Sequence, residues 1–178
     1  ALVGGGLTAI EVTLRTPAAI EAIQEMQTVA GACVGVGTVL NEGDLRRACD
    51  AGAQFIVSPG LTDPLVKAAT AMQVPILPGI SSASYILGGR GLGLDHFKFF
   101  TAVASGGIPA LQALAAPFGQ ARFCPTGGIN AQTAGDWLAL PQVLCVGGSW
   151  LVSRGEPDLA EIRKAAGDAF RLSAGLQG

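Results

Sequence analysis

Charge is scarce in this chain. Asp, Glu, Lys and Arg make up 13% of 178 residues, where soluble domains average about 25%. Hydrophobic residues account for 49% before the 26 glycines are counted. A surface so short of charge is expected to be covered in part by other subunits. The net charge is -2 with no basic cluster, so the electrostatic footprint of a nucleic-acid binder is missing. The acidic residues are too dispersed for an acidic tail. Long apolar runs are also absent. The longest uncharged one, VLCVGGSWLV from Val143 to Val152, falls well short of the roughly 18 residues a membrane helix requires, and a soluble, cytoplasmic protein is expected. There is one histidine, His96, and no H-E-x-x-H, which leaves too few ligands for a metal site. His96 reads as a packed strand residue. No G-x-G-x-x-G follows a strand, so a dinucleotide is not expected, and no cofactor is. Cys33, Cys49, Cys124 and Cys145 are far apart and read as buried free thiols rather than a disulfide framework.

Short segments rich in β-branched residues recur at near-regular spacing: AIEVTL from Ala9, CVGVGTVL from Cys33, FIVSPG from Phe55, PILPGI from Pro75, HFKFFTAV from His96, RFCPTGG from Arg122 and VLCVGGSW from Val143. A helical pattern follows each. Thr16 and Pro17 form a start signal, with Ile20, Ile23 and Met26 on one side; Asn41 opens a second helix carrying Leu45, Ala48 and Cys49, which Gly52 closes. Thr62 with Pro64, and Asn130 before Ala131, repeat the signal. A last helix is expected from Pro157 to about Phe170. Strands without amphipathic alternation, each followed by a helix, indicate a parallel sheet covered by helices. The even spacing and polar or glycine-rich strand ends favour a (β/α)₈ TIM barrel over an open doubly wound sheet. All of 1–178 is read as a single domain. Seven units are one short of eight, and another of about 24 residues would reach the roughly 200 at the low end for barrels. A first strand and helix are therefore expected to be missing from the N-terminus.

Polar residues at the strand ends carry the functional reading. Glu11, Thr13 and Arg15 share a face by parity, either as a Glu-Arg pair that holds loops or as an acid-base group beside an anion clamp. Lys98 stands between Phe97 and Phe99. Parity puts it with His96 and Phe100 on the barrel interior and leaves Phe97 and Phe99 for the helix side. A lysine there either pairs with an acid or snorkels. Alternatively it is a nucleophile, because desolvation favours the neutral amine that forms a Schiff base with a carbonyl. Glu11 is the candidate proton carrier. The glycines of PTGG (Pro125 to Gly128) and GGSW (Gly147 to Trp150) follow the last two strands, where barrels often bind phosphate, although tight turns need glycine in any case.

Taken in order, EVTLRT (Glu11 to Thr16), GVGTVL (Gly35 to Leu40), SPGLT (Ser58 to Thr62), LPGIS (Leu77 to Ser81), FKFF (Phe97 to Phe100), RFCPTGG and CVGGSW resemble the 2-keto-3-deoxy-6-phosphogluconate aldolases, class I aldolases of the Entner-Doudoroff pathway. The resemblance spans nearly the whole chain. It implies cleavage of the phosphorylated keto acid to pyruvate and glyceraldehyde 3-phosphate. It further implies Lys98 as the Schiff-base lysine, Glu11 as the acid-base residue, and Arg15 and Thr38 as holders of the carboxylate. Thr126 would complete that pocket, Pro59 and Phe100 would line the cavity, and Gly127, Gly128, Gly148 and Ser149 would contact the phosphate. With the low surface charge, it implies a homotrimer. Thr101, Ala102 and Val103 stand where the family usually continues Pro-Ala-Glu, so a fixed φ and an acid are both absent. Aldolases for the galactonate epimer or for 4-hydroxy-2-oxoglutarate, and a barrel that binds phosphorylated ligands without catalysis, are the competing readings.

Overall fold

A computed structural model describes residues 1–153 and 155–174. Six strands alternate with helices: β1 (Ala9–Thr13), α1 (Ala19–Gln27), β2 (Cys33–Gly37), α2 (Glu42–Asp50), β3 (Phe55–Ser58), α3 (Asp63–Ala71), β4 (Ile76–Ile80), α4 (Ala83–Gly91), β5 (His96–Phe100), α5 (Gly107–Ala115), β6 (Arg122–Thr126) and α6 (Ala134–Leu138). The helix α7 (Leu159–Ala174) ends the described chain. The strands form one sheet in chain order, and β1 through β4 are parallel in register. Among the described residues no helix is long and apolar enough to cross a membrane.

The chain divides into two compact units. In the unit spanning Ala9–Lys98, the interior residues of β2 and β3 pack under α1 to α3. Ile23, Val34, Val36, Leu45, Ala48, Ile56, Leu65 and Ala69 are all buried in one cluster. Ile20, Met26 and Cys49 cover its flank, so the helical faces of α1 and α2 are the ones that the sequence periodicity marks. Asn41 caps α2 by accepting from the Asp44 N–H at 2.9 Å, and Gly52, at φ +96°, takes the left-handed turn after it. Thr16-Pro17 does not cap α1. That helix starts at Ala19, and the residue before it, Ala18, offers no side-chain cap. Thr62 precedes α3 without a side-chain hydrogen bond, and Pro64 fills its first turn.

The other unit joins Ala1–Thr8 to the described residues from Phe99 onward. The N-terminal segment forms a 3₁₀ turn, Val3–Gly5, against α7. Arg163 Nε donates to the Gly4 carbonyl at 3.3 Å, and a Cβ on Gly5 would overlap Ala166. Phe99, Phe123, Leu111, Trp137 and Ala166 are buried, with the Phe99 and Trp137 rings 6.3 Å apart. Asn130 opens no helix directly: its Oδ1 accepts from the N–H groups of Gln132 and Thr133, an Asx turn that precedes α6.

The segment from Val143 expected as a seventh strand forms no continuous ladder. It meets β6 only at the bridges Phe123↔Val143 and Thr126↔Gly147. Three steps along β6 match four along its partner, so one extra residue bulges between the bridges and interrupts the hydrogen bonding. The cysteines are free as expected but less buried than expected. All four are free, Cys33, Cys49 and Cys124 are half-buried and Cys145 is exposed. Cys124 alternates with Phe123 and Pro125, which take the buried positions of β6, and so lies on the other face.

Candidate active site

Strand β5 enters with His96 exposed and then buries three residues, Phe97, Lys98 and Phe99. Phe97 turns toward α4, where a Cβ on Gly89 would overlap its ring. Phe99 turns toward Trp137 of α6. Alternation then sends Lys98 to the opposite face, where it is 7% exposed. Its Nζ lies 3.8 Å from Glu11 Oε1. Glu11 reaches it from β1 with a side chain 30% exposed, so the pair joins a buried amine to a carboxylate with access to water. His96, expected as a packed strand residue, is instead exposed, because it opens the strand before the buried stretch begins.

Gly37 makes the pair possible. A Cβ there would overlap Glu11 Oε1 and come 2.7 Å from its carboxyl carbon. Sequence reasoning assigned no role to this glycine, because its requirement is space for a side chain on the neighbouring strand rather than an unusual φ. Register places Gly37 opposite Thr13, one pair beyond the Glu11 level on that face. Immediately after it, Thr38 adopts φ +59°, a left-handed conformation that is costly for a β-branched residue. Its Oγ1 accepts from Arg15 Nε at 3.2 Å. The hydrogen bond orients a guanidinium whose fork suits a carboxylate. Glu11 and Lys98 thus meet from the middles of β1 and β5, and Arg15 and Thr38 meet just past the ends of β1 and β2.

Pro59 follows β3 in an exposed turn. Buried Ser58 shapes that turn by donating Oγ–H to the Gly60 carbonyl at 2.7 Å. Gly79 of β4 leaves room for it, since a Cβ there would overlap the Pro59 carbonyl. Phe100 is half-buried at the end of β5.

In the second unit, Thr126 ends β6 and its hydroxyl lies 3.4 Å from the Cys124 carbonyl, to which it donates. A Cβ on Gly147 would overlap that hydroxyl. Gly127 and Gly128 follow at φ +107° and +81°, conformations only glycine adopts readily. The loop after β5 braces this turn: Ala102 N–H donates to Thr126 O at 2.8 Å and Val103 N–H to Gly127 O at 3.1 Å. Val103 packs on Gly128, where a Cβ would come 2.8 Å from it. Gly148 and Ser149 are exposed, and Gly148 admits the Trp150 ring, which any side chain there would overlap. Among the described residues no group of three or more His, Cys, Asp or Glu side chains is placed to hold a metal ion.

Known proteins match this chain over nearly its whole length. Residues 1–165 match the family model described as KDPG and KHG aldolase. The 2-dehydro-3-deoxy-phosphogluconate aldolase of Zymomonas mobilis is 54% identical over 169 residues, which span 95% of this chain and 81% of the relative. A crystal structure of the Zymomonas mobilis ZM4 2-keto-3-deoxy-6-phosphogluconate aldolase with 3-phosphoglycerate superposes with a TM-score of 0.94 at 53% identity, covering 96% of this chain and 82% of that one. A Legionella pneumophila KDPG aldolase, solved with pyruvate captured as a covalent carbinolamine, gives a TM-score of 0.82 at 42% identity, covering 98% and 84%. The chain therefore belongs to the KDPG and KHG aldolase family.

Proposed function

We infer that this aldolase cleaves 2-keto-3-deoxy-6-phosphogluconate to pyruvate and glyceraldehyde 3-phosphate through a Schiff base on Lys98. The observation that carries the assignment of Lys98 is its burial on an otherwise apolar strand with a carboxylate oxygen 3.8 Å from its nitrogen. A buried lysine beside a proton carrier is the arrangement that amine catalysis requires. The carbinolamine held by the Legionella relative is the first intermediate of such a sequence.

The Lys98 nitrogen attacks the C2 carbonyl carbon to form the C–N bond. The carbonyl oxygen takes up protons and leaves as water, giving an iminium. Electrons of the C3–C4 bond flow into that iminium as the C4 hydroxyl loses its proton, which releases the aldehyde and leaves an enamine. Protonation at C3 and hydrolysis return pyruvate and the free amine. Glu11, within reach of the amine and of solvent, moves these protons, a contribution typically worth about 10² to 10⁴ in rate. Arg15, fixed by Thr38, holds the substrate carboxylate with Thr126. Pro59 and Phe100 line the cavity. The Gly127-Gly128 turn with Gly148 and Ser149 receives the phosphate, since successive N–H groups in such turns make anion-binding concavities. The complete architecture is a (β/α)₈ barrel, and the working form is a cytoplasmic homotrimer. Supporting a second substrate, 4-hydroxy-2-oxoglutarate, is the family model's own description, which joins the two activities.

Borohydride reduction in the presence of pyruvate, followed by peptide mass mapping, tests the assignment. A reduced pyruvyl adduct is expected on Lys98 alone and is absent in Lys98→Met. Glu11→Gln still accumulates the adduct, slowly, while turnover falls by roughly 10² to 10⁴. An adduct elsewhere, or none on the folded protein, overturns the role of Lys98.

A further inference from the structure

The proposed chemistry uses none of the four thiols, and two of them lie on neighbouring segments. Cys124 lies on β6, and Cys145 on the segment bridged to it at Phe123↔Val143 and Thr126↔Gly147. Both fall between the bridges, where the segment carries its extra residue. The backbone on either side is held, with Leu144 N–H donating to Phe123 O at 3.1 Å and Gly147 N–H to Pro125 O at 2.9 Å. The bridges on either side bring the backbones of the two cysteines alongside each other. A hydrogen bond from Cys124 lowers the Cys145 thiol from its ordinary value, against the opposing effect of desolvation. Cys145 is exposed, and exposure together with a lowered thiol value is the combination that makes a cysteine oxidisable. Cys49 differs, because burial, then the charge of Asp50, pushes its thiol up.

We propose that Cys124 and Cys145 form a reversible disulfide on exposure to hydrogen peroxide, and that this modification switches the aldolase off. The Cys145 thiolate attacks one peroxide oxygen, breaking the O–O bond to give a sulfenic acid and, after protonation, water. The Cys124 sulfur then attacks the sulfenyl sulfur and forms the S–S bond as a second water leaves. Two thiols lose two electrons, and the peroxide takes them up.

The coupling to activity rests on the aldolase reading, in which Thr126 belongs to the carboxylate pocket. Cys124 Sγ lies 3.9 Å from Thr126 Oγ1, and the same hydroxyl sits so close to Gly147 that even a Cβ would overlap it. A disulfide bond of about 2.05 Å is far shorter than a thiol hydrogen bond. Forming it draws the Cys145–Gly147 segment toward β6, where Thr126 has no space to give, so the hydroxyl moves. Displacing a positioning group by about 1 Å costs up to roughly 10²-fold in rate.

The test is peroxide treatment of the whole chain, digestion without reductant and mass mapping, with aldol cleavage assayed in parallel. Expected are a Cys124–Cys145 linked peptide lacking two hydrogens, a fall in turnover of roughly 10- to 100-fold, and recovery with dithiothreitol. Cys145→Ala and Cys145→Ser start with unchanged turnover and show no dithiothreitol-reversible loss. Oxidation of Cys145 to the sulfinic acid without a linked peptide overturns the disulfide. So does the same reversible loss in both variants. A linked peptide with turnover intact overturns the switch. The pyruvyl adduct on Lys98 of the reduced protein is scored separately: its absence counts against the aldolase reading, whereas the linked peptide is judged by mass alone.

Discussion

Two glycines on one strand have opposite consequences for the molecule. A Cβ on Gly35 would overlap the Phe55 ring, and one on Gly37 would overlap the Glu11 carboxylate. Neither has a positive φ, so alanine strains no backbone at either position. The ring belongs to the packed flank of β3, and forcing it aside costs about 1–3 kcal/mol. The carboxylate ends a flexible chain that is 30% exposed, so it yields at little cost in stability but leaves Lys98. Gly35→Ala is therefore expected to lower the thermal midpoint, and Gly37→Ala to leave the midpoint nearly unchanged while turnover falls. Thermal scans and steady-state assays of the two variants check this, and a Gly37→Ala enzyme with full turnover would detach Glu11 from the chemistry. The amine was legible in the sequence, because a lysine between two phenylalanines violates the pattern of a buried strand and parity then assigns its face. Gly37 was not, since glycine near a strand end signals a turn and nothing local reveals the side chain arriving from β1.

At the scale of elements, the sequence signals divide by whether the capping side chain finds its donor. Asn41 accepts from the Asp44 N–H at 2.9 Å, and its amide also donates to the Asp44 carboxylate at 3.1 Å. Thr62 occupies the same place before α3 with no such bond. Asn41→Ala is expected to cost about 1 kcal/mol, which lowers the midpoint by roughly 2–4 °C for a chain of this size. Thr62→Ala is expected to shift it much less, and comparable shifts in the two would contradict the capping argument. The strands β1 to β6 were readable because β-branched runs and helical periodicity alternate. The segment from Val143 has the same composition, yet a one-residue mismatch between its bridges and β6 breaks the ladder. Register mismatch is a property of two strands together and leaves no mark on either alone. Cys124 and Cys145 both lie between those bridges, on positions whose exposure the apolar runs do not disclose.

For the whole molecule, composition and structure bear on assembly from different directions. Charged residues are 13% of the chain, and the described ion pairs Arg46–Glu42 and Lys67–Asp63 are exposed contacts between neighbouring helical turns, which contribute little to stability. Large apolar side chains nonetheless face outward, among them Leu40 at 59% and Leu87 at 62% exposed. Singly exposed leucines are ordinary on a monomer, but a surface poor in charge has little to keep such residues apart from a second copy. Light scattering at neutral pH is expected to give three times the mass of the chain. Because apolar burial rather than ion pairing would hold the subunits, added sulfate should strengthen the assembly instead of dissolving it, whereas charge-held subunits would separate as salt screens them. A single-chain mass at both salt concentrations would contradict the homotrimer, and the scarcity of charge would then need an origin other than subunit contact.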